Sequence, residues 1–243
     1  GKSRGMVRVT LEVLSARPGD IERAARMVRA GGILAFPTDT VYGLGCDPQN
    51  PKALNRVLSV KGRREKPLPI LVASQELAEQ IAVMDSRARA LASRFWPGPL
   101  TMVLKPRVHF PCSLTMGRKT IAVRCPGNRI ALRLIRKCGG FLTGTSANLT
   151  GHPPCTSAEM VDRLFGDRVD AVVDGGRSPR RLASTVVRVH SRGVTILRKG
   201  PIRAEQVERT LLAVASSRDR RRVDPATPWE TLFRGLIAVS GKT

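Results

Sequence analysis

Two threonines, a handful of basic side chains and two small polar motifs mark the places where this chain has the means for chemistry. Thr38 and Thr40 follow Pro37 in the run Phe36-Pro-Thr-Asp-Thr-Val-Tyr-Gly-Leu-Gly45. The proline stiffens the turn, and Gly43 and Gly45 permit close backbone approach to a ligand. Lys61 and Arg63 stand two residues apart just past a helical stretch and supply fixed positive charge. Thr145-Ser-Ala-Asn148 and Ser184-Thr-Val-Val187 come later, and Arg124 and Arg198 each close an apolar strand. Small hydroxyls beside guanidinium groups suit a small anionic ligand, because arginine pairs with carboxylate and phosphate oxygens in bidentate fashion. Hydrolysis is not indicated. Gly144-Thr-Ser146-Ala-Asn148 lacks the last glycine of a G-x-S-x-G elbow, no Asp/His partner for a triad is evident, and there is neither a P-loop nor a spaced cluster of metal ligands.

These residues need a scaffold, and the hydrophobic pattern alternates strand with helix. Strands are expected over 7–14, 33–36, 68–72, 100–104, 120–124, 141–144, 171–174, 184–189 and 194–198, the last two joined by a Ser191-Arg-Gly193 hairpin turn. Helices are expected from Pro18 to the Gly31-Gly32 stop, then over 51–60, 75–83, 86–95, 129–137, 157–165 (capped by Thr156 or Ser157) and 202–214. Trp96-Pro-Gly-Pro99 cannot continue a helix, and the irregular stretch 105–119 is a candidate lid. This pattern describes an α/β protein with one main domain over 7–214, a polar basic linker over 215–227 and a tail over 228–243. In that tail Trp229, Leu232, Phe233, Leu236 and Ile237 share one helical face.

Forty-two Lys and Arg against 19 Asp and Glu leave a formal charge of +23, which favours anionic partners such as nucleotide phosphates or RNA. Five cysteines without CxxC spacing and only three histidines indicate neither a disulfide framework nor a zinc site. No stretch approaches the ~18 to 20 apolar residues of a membrane helix, and no apolar leader is present, so a cytoplasmic location without membrane contact is expected.

Taken together, the Pro-Thr-Asp-Thr run, Lys61-Gly-Arg63, the Pro67-Leu-Pro-Ile-Leu-Val72 strand, Thr145-Ser-Ala-Asn148 and Ser184-Thr-Val-Val187 closely resemble the YrdC/Sua5 family of threonylcarbamoyl-AMP synthases, over roughly residues 18–202. The resemblance implies a single YrdC-like domain with a twisted mixed sheet flanked by helices and a basic concave cleft. It implies a reaction of L-threonine, bicarbonate or CO2 and ATP to give threonylcarbamoyl-adenylate and pyrophosphate, with Mg²⁺ on the phosphates. A downstream transferase would then use the product for t6A37 modification of tRNA. Carried over residue by residue, Lys61, Arg63, Ser146 and Asn148 form a tetrad around the nucleotide. Thr40, Arg124, Ser146 and Ser184 contact threonine, and Arg63, Thr120, Asn148, Thr156 and Arg198 contact ATP. The chain departs from many relatives at Leu71, where they carry histidine, and in a 63–66 loop one residue shorter. A short form without the full second domain of the Sua5 branch is expected. The alternative is a non-catalytic module of the same fold that grips double-stranded RNA or tRNA. The charge suits it, but one Tyr, two Trp and six Phe offer little base stacking.

Overall fold

A computed structural model describes residues 11–62, 66–179, 182–219 and 237–239, the backbone alone being considered for 215–219 and 237–239. Arg63 and the stretches 220–236 and 240–243 lie outside the described residues, as does most of the expected tail.

Strands β1 (Glu12–Leu14), β2 (Leu34–Phe36), β3 (Gly43–Gly45), β8 (Thr145–Ser146) and β9 (Ala171–Val173) build one sheet in the order β1-β9-β2-β3-β8. A second sheet runs β12-β11-β10-β5-β6-β4-β7, from β4 (Ile70–Val72), β5 (Leu100–Leu104), β6 (Ile121–Arg124), β7 (Phe141–Thr143), β10 (Thr185–His190), β11 (Gly193–Arg198) and β12 (Ile237–Val239). Both are mixed: β1, β9 and β2 run parallel while β2, β3 and β8 alternate, and the larger sheet also combines parallel and antiparallel pairs. Sequence reasoning anticipates one sheet. The second depends on Gly43-Leu-Gly45 and the two-residue β8, segments too short or too glycine-rich to register as strands. The sheets meet where Thr143 N–H donates to Cys46 O (2.9 Å) and Cys46 N–H to Thr143 Oγ1 (2.8 Å). A Cβ on Gly45 would lie 2.1 Å from Thr143 O, so glycine is what permits this approach.

The helices form where the apolar spacing predicts, and side-chain caps start several of them. In α2 (Pro51–Val60) Asn50 accepts from Ala53 N, and Pro51 takes the first helical position where its missing N–H costs nothing. Asp85 caps α4 (Ser86–Phe95), Asn128 caps α6 (Arg129–Lys137), and Ser157 rather than Thr156 caps α7 (Ala158–Phe165). Helix α1 (Pro18–Arg29) buries Ile21, Ala24, Ala25 and Val28 together with Leu134 and Ile135 of α6 against Phe36 and Val173. A larger core lies around the second sheet and includes Leu100, Met102, Val123, Val187 and Ile196. Helix α3 (Gln75–Ile81) completes this layer.

Three expectations change. Segment 105–119 is packed down rather than free: it contains the short helix α5 (Cys112–Thr115), buries Phe110 and Leu114, and is tied by Val83 N–H to Lys105 O and Leu68 N–H to Leu114 O. Helix α8 spans Ala204–Asp219, so helical backbone continues into the expected linker. Ile237–Val239 is a strand parallel to β11, where a helix is expected. β-Branched Ile237 and Val239 suit the pleated backbone that the open edge of β11 offers.

Candidate functional site

The larger sheet and the Thr38–Thr40 turn enclose a cavity of about 410 Å³. Side chains alternate along strands, so one face of the sheet supplies its wall: Thr101 and Val103 from β5, Ala122 and Arg124 from β6, Val186 and Arg188 from β10. The intervening Met102, Val123 and Val187 face the core. Register places Arg188 beside Val103, and Val103 beside Ala122.

The turn is ordered by its own hydroxyls. Thr38 Oγ1 donates to Val41 O (2.6 Å) and accepts from Thr40 N–H (3.1 Å), which leaves Thr40 Oγ1 as the donor in their 3.0 Å contact. Thr40 Oγ1 in turn accepts from Arg124 Nη1 (3.2 Å). Arg124 is 7% exposed; its Nε donates to Gly98 O (3.1 Å) and its Nη2 to Asp39 Oδ1, which also accepts from Gly127 N–H (2.9 Å). Burial pulls the pKa of Arg124 below the ordinary arginine value, against the opposing pull of Asp39.

A second cluster lies behind Ser146. Lys61, which caps α2 at its C-terminus, is 2% exposed. Its Nζ donates to Ser146 O, to Asn148 O (3.1 Å) and to Asn148 Oδ1 (3.0 Å). Ser146 Oγ donates to the same Oδ1 (2.6 Å), and Asn148 Nδ2 donates to Leu149 O and His152 O. On the far wall, Arg198 donates from Nε to Ser184 O and from Nη2 to Ser184 Oγ, each at 3.0 Å, and Ser184 Oγ lies 2.7 Å from Thr101 Oγ1.

Of the residues expected from sequence, Thr40, Thr120, Arg124, Ser146, Ser184 and Arg198 line this one cavity. Lys61 and Asn148 do not line it; they hold the backbone that presents Ser146. Thr156 is also off the wall, half-buried with Oγ1 3.4 Å from Met160 Sδ, because the cap of α7 falls on Ser157. Arg63 lies outside the described residues. Sequence reasoning passed over Asp39, Arg118 and Arg188; the alternation Val186-Val187-Arg188 is a signal that exposes the last, since buried Val187 sends both neighbours to the other face. Lys66, Arg118, Arg124, Arg188 and Arg198 thus surround the cavity, and no Asp or Glu is among the described residues that line it. Cysteine chemistry has no place there. Burial pushes the Cys46 and Cys138 thiols up to about 12 and those of Cys125 and Cys155 to about 11, and none of the five cysteines lines the cavity. Among the described residues no group of three or more His, Cys, Asp or Glu could hold a metal, and no helix is long and apolar enough to cross a membrane.

Leu71 shapes the floor. A Cβ on Gly144 would fall 2.3 Å from Leu71 Cδ1, so this wall is set by one leucine packed on a glycine. Gly144→Ala is expected to cost about 1–3 kcal/mol in urea unfolding through overpacking. Combined with Leu71→Ala, the loss should be smaller than the sum of the single losses, because the added methyl enters the space the leucine leaves; strict additivity would show that the two do not clash.

Fold and site define an α/β protein whose two mixed sheets hold a cation-rich cavity dressed with small hydroxyls. The chain belongs to the Sua5/YciO/YrdC family: the family model, described as "Telomere recombination", matches residues 26–200. A threonylcarbamoyl-AMP synthase of Pyrococcus abyssi is 39% identical over 193 residues, covering 79% of this chain and 57% of that protein. One of Thiobacillus denitrificans is 42% identical, covering 66% of this chain and 86% of that protein. The structure of P. abyssi Sua5 complexed with L-threonine superimposes with a TM-score of 0.78 at 37% identity, covering 83% of this chain and 60% of that one. Escherichia coli YciO shares the fold, with a TM-score of 0.74 at 24% identity over 81% of this chain and 98% of that one. This chain therefore spans somewhat more than half of the Pyrococcus protein and most of the Thiobacillus one.

Proposed function

We propose that the chain is an L-threonylcarbamoyladenylate synthase, a nucleotidyltransferase that joins L-threonine, bicarbonate or CO2 and ATP into threonylcarbamoyl-AMP and releases pyrophosphate. The observation that carries the proposal is the convergence of Arg124, Thr40, Ser146 and Ser184 with four further cations on a single cavity. The reaction needs this sign of charge. Carboxylation of the threonine amine creates a second carboxylate, and its oxygen must reach an α-phosphate that repels it; two unit charges 4 Å apart interact by about 4 kcal/mol at an effective dielectric of 20. Fixed cations offset that repulsion without reorganising, so positioning and electrostatics replace a protein nucleophile.

In this proposal Arg124 takes the threonine carboxylate, the hydroxyls of Thr40, Ser146 and Ser184 fix its amine and hydroxyl, Thr120 and Arg198 face the nucleotide, and Arg63 is given a nucleotide contact on the motif alone. Lys61 and Asn148 act by holding Ser146. Thr156, off the cavity wall, is not given a contact. With no carboxylate among the described lining residues, Mg²⁺ is assigned to the phosphates of ATP rather than to protein ligands. The product serves a downstream transferase that modifies tRNA at t6A37, which places the protein in the cytoplasm.

The test incubates the purified chain with ATP, Mg²⁺, bicarbonate and L-threonine, omitting each in turn, and follows pyrophosphate together with the adenylate by mass spectrometry. Formation that requires every component supports the synthase. Absence of both products, with tight tRNA binding at physiological salt, would instead favour the RNA-binding module.

A further inference from the structure

Arg124 offers five N–H donors, and three are already committed: Nε to Gly98 O, one on Nη1 to Thr40 Oγ1 and one on Nη2 to Asp39 Oδ1. One N–H therefore stays on each terminal nitrogen of a guanidinium that lines the cavity. Asp39 is not on the cavity wall; its side chain is 13% exposed, and its Oδ1 is itself fixed by the Gly127 N–H at 2.9 Å. Gly127 leaves it room, since a Cβ there would sit 3.3 Å from Asp39 Cγ. We infer that Asp39 is a positioning residue for substrate selection: it locks the rotation of the Arg124 guanidinium so that one N–H of each terminal nitrogen is presented to the α-carboxylate of an amino acid. The inference rests on the assignment of Arg124 to the threonine carboxylate.

Two features make Asp39 more than an ordinary ion-pair partner. The Thr40 hydroxyl that accepts from Nη1 is held in turn by Thr38, so both lateral contacts to the guanidinium come from one preformed turn, residues 38–41. The pair with Asp39 also balances the arginine charge before any ligand arrives. A zwitterionic amino acid then adds no net charge to this buried spot, while a ligand that lacks the carboxylate forfeits the two remaining N–H groups and leaves them unpaired.

The test compares binding of L-threonine with that of L-threoninamide, which keeps the amine, hydroxyl and methyl but has no carboxylate. Calorimetric titrations use the wild type and Asp39→Ala, Asp39→Asn and Asp39→Glu, with folding checked by thermal unfolding. In the wild type L-threonine is favoured. In Asp39→Ala that preference is expected to fall by about tenfold or more, the scale of one charge-assisted hydrogen bond, because the guanidinium no longer aims its two N–H groups at the carboxylate. Asp39→Asn should restore most of the preference, because its amide oxygen can accept from both Nη2 and the Gly127 N–H. Asp39→Glu keeps the charge but displaces the acceptor by one methylene, so it should lower the preference even where the alanine variant fails to fold. Equal loss for both ligands, or an unchanged preference in Asp39→Ala and Asp39→Glu, would overturn the positioning role. A preference that survives Arg124→Ala would instead overturn the carboxylate assignment itself.

Discussion

Replacing Lys61 with methionine is expected to remove about 3–5 kcal/mol of stability and to reduce adenylate formation about a hundredfold or more. Methionine matches the unbranched stem of lysine and ends where the ammonium begins, so in a side chain that is 2% exposed the substitution removes the charged group and keeps the packing below it. That ammonium receives no fewer than three oxygens, Ser146 O, Asn148 O and Asn148 Oδ1, all drawn from the segment that carries Ser146 to the cavity. Asn148 Oδ1 keeps the Ser146 hydroxyl and Ser146 O keeps the Asn148 N–H, so the loss comes from the ammonium itself: hydrogen bonds to a charged group contribute about 1.5–3 kcal/mol each, and three go at once. Arginine would not rescue the variant: the site is built for a compact point charge, and a planar guanidinium cannot enter the same fork of carbonyls. Asn148→Ala should do less harm, since the two backbone carbonyls keep their donor. Urea unfolding and pyrophosphate release measure the two halves of this prediction. A Lys61→Met protein within about 1 kcal/mol of wild type would show that the ammonium does not hold the 145–148 segment.

This role of Lys61 marks the boundary of what the sequence discloses. The apolar spacing of α1, α2 and α6 and the cap before α7 are local signals, and the corresponding helices form as they predict, with Asn50, Asp85 and Asn128 found capping α2, α4 and α6. Strands β4, β5, β6, β9, β10 and β11 likewise coincide with apolar runs. Gly43-Leu-Gly45 is different. Its strand exists because Phe36 and Ser146 lie on either side to pair with Gly43, a tertiary fact with no counterpart in local propensity. The site divides the same way. Thr40, Arg124, Ser146, Ser184 and Arg198 follow from a resemblance of motifs, and the structure brings them together. That Lys61 faces carbonyl oxygens, and that Asp39 braces Arg124 from 85 residues away, depend on the folding of distant segments. The 105–119 stretch is irregular in sequence yet pinned by Phe110 and Leu114, because two buried apolar side chains decide its place more than its lack of periodicity does.

Arg124→Ala is expected to raise the L-threonine KM about a hundredfold or more, and to destabilise the protein by about 3–5 kcal/mol, the usual cost of removing one member of a buried pair. The two losses have separate origins, and a second substitution separates them. Asp39 keeps only the Gly127 N–H when Arg124 is gone, so its charge, 13% exposed, lacks a counter-ion. Removing that charge as well, in Arg124→Ala with Asp39→Ala, should recover at least about 1 kcal/mol relative to the single variant, since neither partner is then left unpaired. The threonine KM should not recover, because the donors that face the cavity are absent from both proteins. Arg124→Lys tests the geometry in between. Its ammonium preserves the charge but cannot satisfy Gly98 O, Thr40 Oγ1 and Asp39 Oδ1 and still present two N–H groups to a carboxylate. Its stability should therefore lie closer to wild type than its KM does. If Arg124→Lys restored threonine affinity in full, charge alone would explain the site, and the planar fork would carry none of the selection.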